Sequence, residues 1–219
     1  MKKWTEVYSP EELILYQDDR YIIANKPAGV PSQPDKTGDL SFSEWLMSDK
    51  GSSAHILSRI DRPVSGAMIF SKDGGGHQHS NIKKTYLAIT TSPTKSADTI
   101  EHYLQKDGRH LKTRVVSKKE GKLSKLSYRV IQELDKYAVL EIHLETGRFH
   151  QIRAQLSHIG CPIKGDVKYG ARRGNRDRSI DLHAHRVMLP YLDAPIVAPI
   201  LQQDGIWRFV EVTKTPEVK

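Results

Sequence analysis

The sequence predicts an α+β fold with a mixed, largely antiparallel sheet and flanking helices, and three features carry that expectation. Short β-rich runs recur along the chain, several of them followed by Pro, Gly or Asp turns. Regular alternation of strand and helix, which a doubly wound parallel sheet needs, is missing. Only two stretches have helical character.

In chain order, the first strand is YIIAN (21–25). A helix follows in SFSEWLMSD (41–49), where Ser41 or Ser43 can cap the first turn. AMIFS (67–71), TYLAIT (85–90), KTRVVS (112–117), LSYRVIQEL (126–134) and YAVLEIHLE (137–145) are further strands, rich in β-branched and aromatic residues. FHQIRAQLSHIG (149–160) is the second helix, with Phe149, Ile152, Leu156 and Ile159 on one apolar face and Gly160 as its stop. His150 and Arg153 are three apart, so they lie side by side away from that stripe, and the preceding TGR brings a glycine to a helix N-terminus that can face an anion. HRVMLPY (185–191) and WRFVEV (207–212) complete the set of strands.

With 219 residues and 37% hydrophobic content, the chain can bury a real core, and it is read as a single domain over 1–219. Lysine and arginine outnumber aspartate and glutamate by 34 to 26, a formal charge of +8 that suits a polyanionic partner. Two segments concentrate it. Residues 95–125 interleave Lys and Arg with apolar residues, as in a β-excursion lying on a polyanion. Residues 168–181 carry Arg172, Arg173, Arg176 and Arg178 among Gly, Asn and Asp and read as a mobile basic loop. The plain alternative for both is a solvated charged surface.

The single cysteine, Cys161, makes no internal disulfide and argues against a thiolate metal site. His77 and His79 form an H-x-H pair, but without adjacent acids or cysteines that is a poor metal motif, so no metal is expected. The N-terminus lacks an apolar signal core and no stretch offers 18 consecutive apolar residues, so a cytoplasmic protein without a membrane span is expected. Nor are there coiled-coil heptads, which leaves a monomer as the default.

The most informative stretch is ILSRIDRPVSGAMIFSK (56–72), where Asp61 stands between Arg59 and Arg62 and is followed by Pro63 and Ser65-Gly66. Taken alone it reads as turn chemistry with solvated arginines. Four segments in order, however, resemble the RluA-type pseudouridine synthases: LYQDDRYIIANKPAGVPSQP, SRIDRPVSGAMIFSK, KKTYLAI, and LETGRFHQIRAQLSHIGCPIKGDVKYGA with LHAHRVMLPY after it. The resemblance spans about residues 13–212. Its last and longest motif is the most specific, because TGR-x-HQIR followed by IG-x-P-I-x-GD-x-x-YG sets many residue types at set offsets.

That resemblance implies a catalytic core with a central cleft that isomerises uridine inside RNA, ribosomal or transfer, to pseudouridine without cofactor or metal. It also implies RNA grip by the core itself, since the pattern begins almost at once and leaves no room for the S4 domain many relatives carry. By alignment Asp61 is the catalytic carboxylate, Arg153 the basic residue that pairs with it and keeps it ionised, and Tyr86 the active-site tyrosine that stacks on uracil or helps remove a proton. Without the motif, Tyr86 in a β-run would be read as core. Arg59 is placed to fill the space left by a flipped base, with Ser65-Gly66 as the tight turn into the strand. Arg62, Arg148, His150, Arg172, Arg173, Arg176 and Arg178 are the further RNA-binding candidates, although His150 alone suits a hydrogen-bonded structural role better. The pattern departs from its relatives at Ser58, usually His, at Val64, usually Thr, and in a short segment between Asp61 and Tyr86. A noncatalytic RNA-binding protein that retains the fold is the alternative reading.

Overall fold

In the computed structural model the described residues are 4–48, 54–73, 81–93, 95–201 and 205–211. The chain divides into two compact units, one formed by Met1–Lys84 with His183–Gln202 and the other by Thr85–Leu182 with Gln203–Lys219. The His77/His79 pair lies outside the described residues.

The first unit begins with a short helix α1 (Pro10–Leu13), closed by a reciprocal cap in which the Ser9 hydroxyl accepts from the Glu12 amide and the Glu12 carboxylate accepts from the Ser9 amide. It runs straight into the hairpin β1 (Ile14–Gln17) and β2 (Tyr21–Lys26), whose turn is set by Asp18 accepting from the amides of Arg20 and Tyr21. Helix α2 (Phe42–Ser48) uses Ser41 as its cap, with Glu44 returning the bond. Then come β3 (His55–Ser58) and β4 (Ser65–Ser71).

β4 organises this unit. Its whole length pairs antiparallel with β2, while its other partners divide it: β3 takes residues 69–71, and β10 (Leu182–Met188) runs parallel at Ser65 and Gly66. A short β11 (Ile196–Val197) adds to β10. Six of the seven β4 residues are buried, so its sequence is a continuous apolar run instead of an alternation. Tyr21, Ile23, Ala67, Ile69, Val187 and Leu189 form the core beneath. Gly66 sits within the strand and does not make the expected turn; at φ +112°, any Cβ on it would overlap the backbone of Ala184 on β10. The actual turn is Asp61–Val64, closed by the Val64 amide donating to the Asp61 carbonyl at 3.0 Å.

The second unit is built on antiparallel strands in the order β5 (Lys83–Thr90), β9 (Ala138–Leu144), β8 (Lys122–Glu133), β6 (Ala97–Asp107), β7 (Lys112–Val116). The basic segment 95–125 is therefore the long β6–β7 hairpin and the start of β8, and β6 buries only Ile100 and Leu104 deeply, as a half-exposed strand does. Helix α3 (Gln151–His158) is shorter than expected, and its six residues from Gln151 to Leu156 are all buried. The face away from the apolar stripe is therefore covered too. Its side-chain amide nitrogens are matched instead: Gln151 donates to the Lys125 carbonyl and Gln155 to those of Ile100 and Ser124. At the ends of the expected apolar stripe, Ile159 is exposed and Phe149 half-buried.

Two further expectations change. Of the expected strand at 207–212, the described residues 207–211 do not extend a sheet: Gly205–Phe209 is a 3-10 turn, tied to β8 because the Gln132 side chain donates to the Phe209 carbonyl and accepts from the Glu211 amide. One side-chain amide thus replaces a ladder. The basic loop at 168–181 is pinned at its base, where the Lys164 ammonium donates to Asp181 and to Asn175, both at 2.8 Å, and Asn175 donates to Asp181 at 3.0 Å. Among the described residues no helix is long and apolar enough to cross a membrane.

Candidate active site

Asp61 stands in the loop between β3 and β4, half-buried, and the backbone on both sides of it is held by the segment that follows β2. The Ser32 hydroxyl donates to the Ile60 carbonyl at 2.5 Å and the Gly29 amide to the Arg62 carbonyl at 2.7 Å. From the end of β2 the fully buried Lys26 donates its Nζ to the carbonyls of Pro27 and Val30, both at 2.8 Å, and to that of Arg62 at 3.4 Å. One ammonium thus joins the two loops. Burial pushes the Lys26 amine down to about 7, against the pull of the Asp61 carboxylate and with the help of the Arg62 charge. Nothing in the NKPAGVPSQP stretch itself shows that Lys26 ties two loops together; its one signal is a lysine ending an otherwise apolar strand.

Arg59 and Arg62 are both exposed, yet differ in use. Arg62 is occupied inside the unit: its Nε donates to the Gly29 carbonyl at 3.0 Å, Nη1 to the Thr37 hydroxyl at 3.1 Å, and Nη2 to the Asp39 carboxylate at 2.5 Å. The Thr37 and Arg62 contacts hold the Asp39 and Asp35 carboxyls below their usual range. Arg62 therefore clamps residues 29–39 against the Asp61 loop. Ser58, which replaces the usual His, accepts from the half-buried Lys84 at 2.7 Å, and Val64 packs as core.

The second unit holds Tyr86 and Arg153. Tyr86 is buried on β5, paired across the ladder with Ile142 on β9. Arg153, on α3, is buried and makes a two-pronged ion pair with Asp166, Nε to Oδ2 at 2.7 Å and Nη2 to Oδ1 at 2.8 Å. The Tyr169 ring lies under the guanidinium, 4.9 Å from its centroid. Asp166 and Tyr169 come from the GD-x-x-YG part of the motif, and their role escaped the sequence, which offered no spacing rule to link them to Arg153.

His150 does not lie within the helix. It is the N-cap, in the left-handed conformation at φ 52°, and its side chain does not cap. Its ring stacks on Phe149, with centroids 3.8 Å apart, and its Nδ1 meets the Tyr169 hydroxyl at 2.9 Å. Burial first, and then the Arg153 charge, lower its pKa to about 3, so the ring is neutral where it meets that hydroxyl. The Tyr169 oxygen in turn accepts from the Thr113 amide at 2.7 Å. Arg148 is exposed, with its amide donating to the Gln151 side chain; Arg172, Arg173, Arg176 and Arg178 are exposed as well. Among the described residues, no three His, Cys, Asp or Glu side chains are grouped to hold a metal ion.

Comparison with known proteins places these motifs in a family. A family model described as RNA pseudouridylate synthase matches residues 20–158. The ribosomal large subunit pseudouridine synthase C of Rickettsia conorii is 30% identical over 191 residues, which cover 81% of this chain and 63% of that protein. An uncharacterized RNA pseudouridine synthase of Bacillus subtilis, YhcT, is 30% identical over 203 residues, covering 84% of this chain and 67% of the relative. The chain thus spans about two thirds of the length of such relatives. Among solved structures, human RNA pseudouridylate synthase domain containing 4 superposes with a TM-score of 0.70 at 25% identity, over 87% of this chain and 90% of the other.

Proposed function

This chain belongs to the RNA pseudouridylate synthase family, RluA type, and from that premise we propose that it isomerises uridine within RNA to pseudouridine. The observation that supports the reading best is the construction around Asp61. Lys26, Gly29 and Ser32 bind the backbone of residues 60 and 62, an investment in rigidity that a solvated surface turn does not need.

In this reading Asp61 is the catalytic carboxylate. The reaction breaks the bond from N1 of uracil to C1′ of the ribose and forms one from C5 to C1′. N1 ends with a proton, and the proton on C5 leaves after reattachment. A carboxylate serves the first stage either by adding covalently to a sugar or pyrimidine carbon or by taking a sugar proton. Tyr86 acts in the last stage, its ring against uracil and its hydroxyl in the removal of the C5 proton. Arg153 is the basic group of the site, oriented by Asp166 and by the face of Tyr169. The isomerisation conserves mass and oxidation state, so the chemistry calls for neither cofactor nor metal.

A stacked uridine must leave its helix before its sugar carbon can be reached. Arg59 fills the vacated space, and the exposed arginines at 172, 173, 176 and 178 hold the backbone. The names of the relatives make large-subunit ribosomal RNA the first substrate to test, before transfer RNA. The protein works as a cytoplasmic monomer, and 1–219 acts as one catalytic domain.

The deciding experiment is Asp61→Asn with ribosomal RNA as substrate. Wild type should create carbodiimide-reactive sites without a change in RNA mass, whereas Asp61→Asn should still bind and create none. Wild-type loss of a base, or binding with no modification, would replace the synthase reading. Arg59→Ala should lose more single-turnover rate on a structured stem-loop than on a flexible strand with the same uridine; equal fractional losses would leave Arg59 as a phosphate contact.

A further inference from the structure

The β6–β7 hairpin and the TGRFH segment line an open pocket of about 310 Å³ within the second unit, and neither Tyr86 nor Arg153 is among its lining residues. Leu104, Thr113 and Phe149 line it, and Lys106, Lys122 and Arg148 stand around it with exposed side chains. The one carboxylate of the lining, Glu120, is turned to the hydroxyl and amide of Ser117, at 2.6 and 3.3 Å. A half-apolar hollow of this size with three cations beside it matches an aromatic ligand that carries phosphate.

The aromatic wall is rigid. Phe149 occupies the position the TGR-x-HQIR motif leaves open. Its ring stacks at 19° on His150, whose imidazole is in turn fixed by Tyr169, and its carbonyl accepts from the Thr113 hydroxyl at 2.7 Å. The Lys106 ammonium rests 4.6 Å from the Phe149 centroid. A cation on an aromatic face holds the place that a base would take, and can exchange it for a phosphate when a base arrives.

We propose that this pocket takes one unpaired nucleotide of the bound RNA strand, its base against Phe149 and its phosphate among Lys106, Lys122 and Arg148. It is a second nucleotide site, separate from that of the reacting uridine, and gives the basic β-hairpin a grip on single-stranded RNA beside the target. The proposal rests on the RNA-modifying reading for its ligand, but its test does not depend on turnover.

The test is a titration of the full-length, 15N-labelled protein with the trinucleotide UpUpU and, separately, with inorganic phosphate and with uridine. UpUpU should shift the amides of residues 104–106, 113, 122 and 147–149 saturably, and phosphate should reproduce only part of that pattern. Lys106→Ala with Lys122→Ala should weaken UpUpU by about tenfold, as two lost phosphate contacts would. Phe149→Ala should weaken it by about fivefold or more, and Phe149→Trp should restore it. The proposal is overturned if the shifts lie elsewhere, if the lysine pair leaves affinity unchanged, or if phosphate alone gives the full pattern. Should Phe149→Ala fail to fold, the lysine pair and the phosphate comparison still decide. Pseudouridine formation by the same wild-type preparation, scored independently, separates failure of this pocket from failure of the synthase reading.

Discussion

Lys26 in the first unit and Arg153 in the second are both buried cations at the centre of a motif, yet the groups around them differ in kind. Lys26 meets neutral carbonyls of two loops, and its amine falls to about 7. Arg153 meets a buried carboxylate in a two-pronged pair and an aromatic face. An ammonium is a compact point charge with three donors, suited to gathering carbonyls from different directions. A guanidinium is planar, keeps its charge, and matches a carboxylate fork to fork. The lysine thus ties one piece of backbone to another, and the arginine presents a charge in a set direction.

The largest effect expected from breaking this contrast is in the second unit. Asp166→Ala removes the two-pronged ion pair from the buried Arg153 guanidinium beside Tyr169, and should cost about 3–5 kcal/mol in urea unfolding. A double variant, Arg153→Met with Asp166→Leu, should recover most of that loss while remaining inactive. If Asp166→Ala costs less than about 1 kcal/mol, the pair does not hold the helix. Next comes Lys26→Met, which leaves the carbonyls of Pro27, Val30 and Arg62 without their shared donor. About 1–3 kcal/mol should be lost, together with activity, because the Asp61 loop is no longer held. A variant of full activity would detach Lys26 from the positioning of Asp61.

A smaller effect separates the two cations by pH. The Lys26 amine binds its proton less tightly folded, about 7, than unfolded, 10.5, so between those values the unfolded chain holds more protons and rising pH stabilises the fold. The slope is at most about 1.4 kcal/mol per pH unit. Wild type should therefore gain stability relative to Lys26→Met from pH 7 to 10, whereas its difference from Arg153→Met should show no such gain from the arginine itself. Parallel denaturation curves at pH 7 and 9.5 make the comparison; identical differences would mean Lys26 keeps its proton throughout. Smallest in stability is neutralisation of Arg172, Arg173, Arg176 and Arg178, which are exposed on a loop anchored by Lys164, Asn175 and Asp181. The fold should be unchanged, and the salt dependence of RNA binding should become shallower. An unaltered salt slope would return those arginines to the solvated surface.

The contrast also marks where sequence reading reached its limit. β-branched runs between turn residues located β2, β4, β5, β7, β8 and β9, because a half-buried or buried strand needs those side chains whatever its partners. They failed at 207–209, where equally β-prone residues belong to a 3-10 turn held by Gln132. For α3 the periodicity was right about Ile152 and Leu156, but it did not show that Arg153, away from that stripe, is buried as well, together with Gln151 and Gln155. His150 was legible as a hydrogen-bonded residue, but its left-handed backbone was not.

By itself, then, the sequence determined the α+β class, most strands, a serine cap at 41 or 43 and the family motifs in order, all of which depend on local preference or on residue types at close spacing. Tertiary structure alone decided that Lys26 reaches the Arg62 carbonyl 36 positions away and that Arg153 takes Asp166 from beyond the end of its helix. It also decided that Gly66 is required by a neighbouring strand. Such pairings follow from where strand ends deliver their loops, and a buried donor bonds to whichever acceptor the chain brings within about 3 Å. No periodicity in one segment records that meeting.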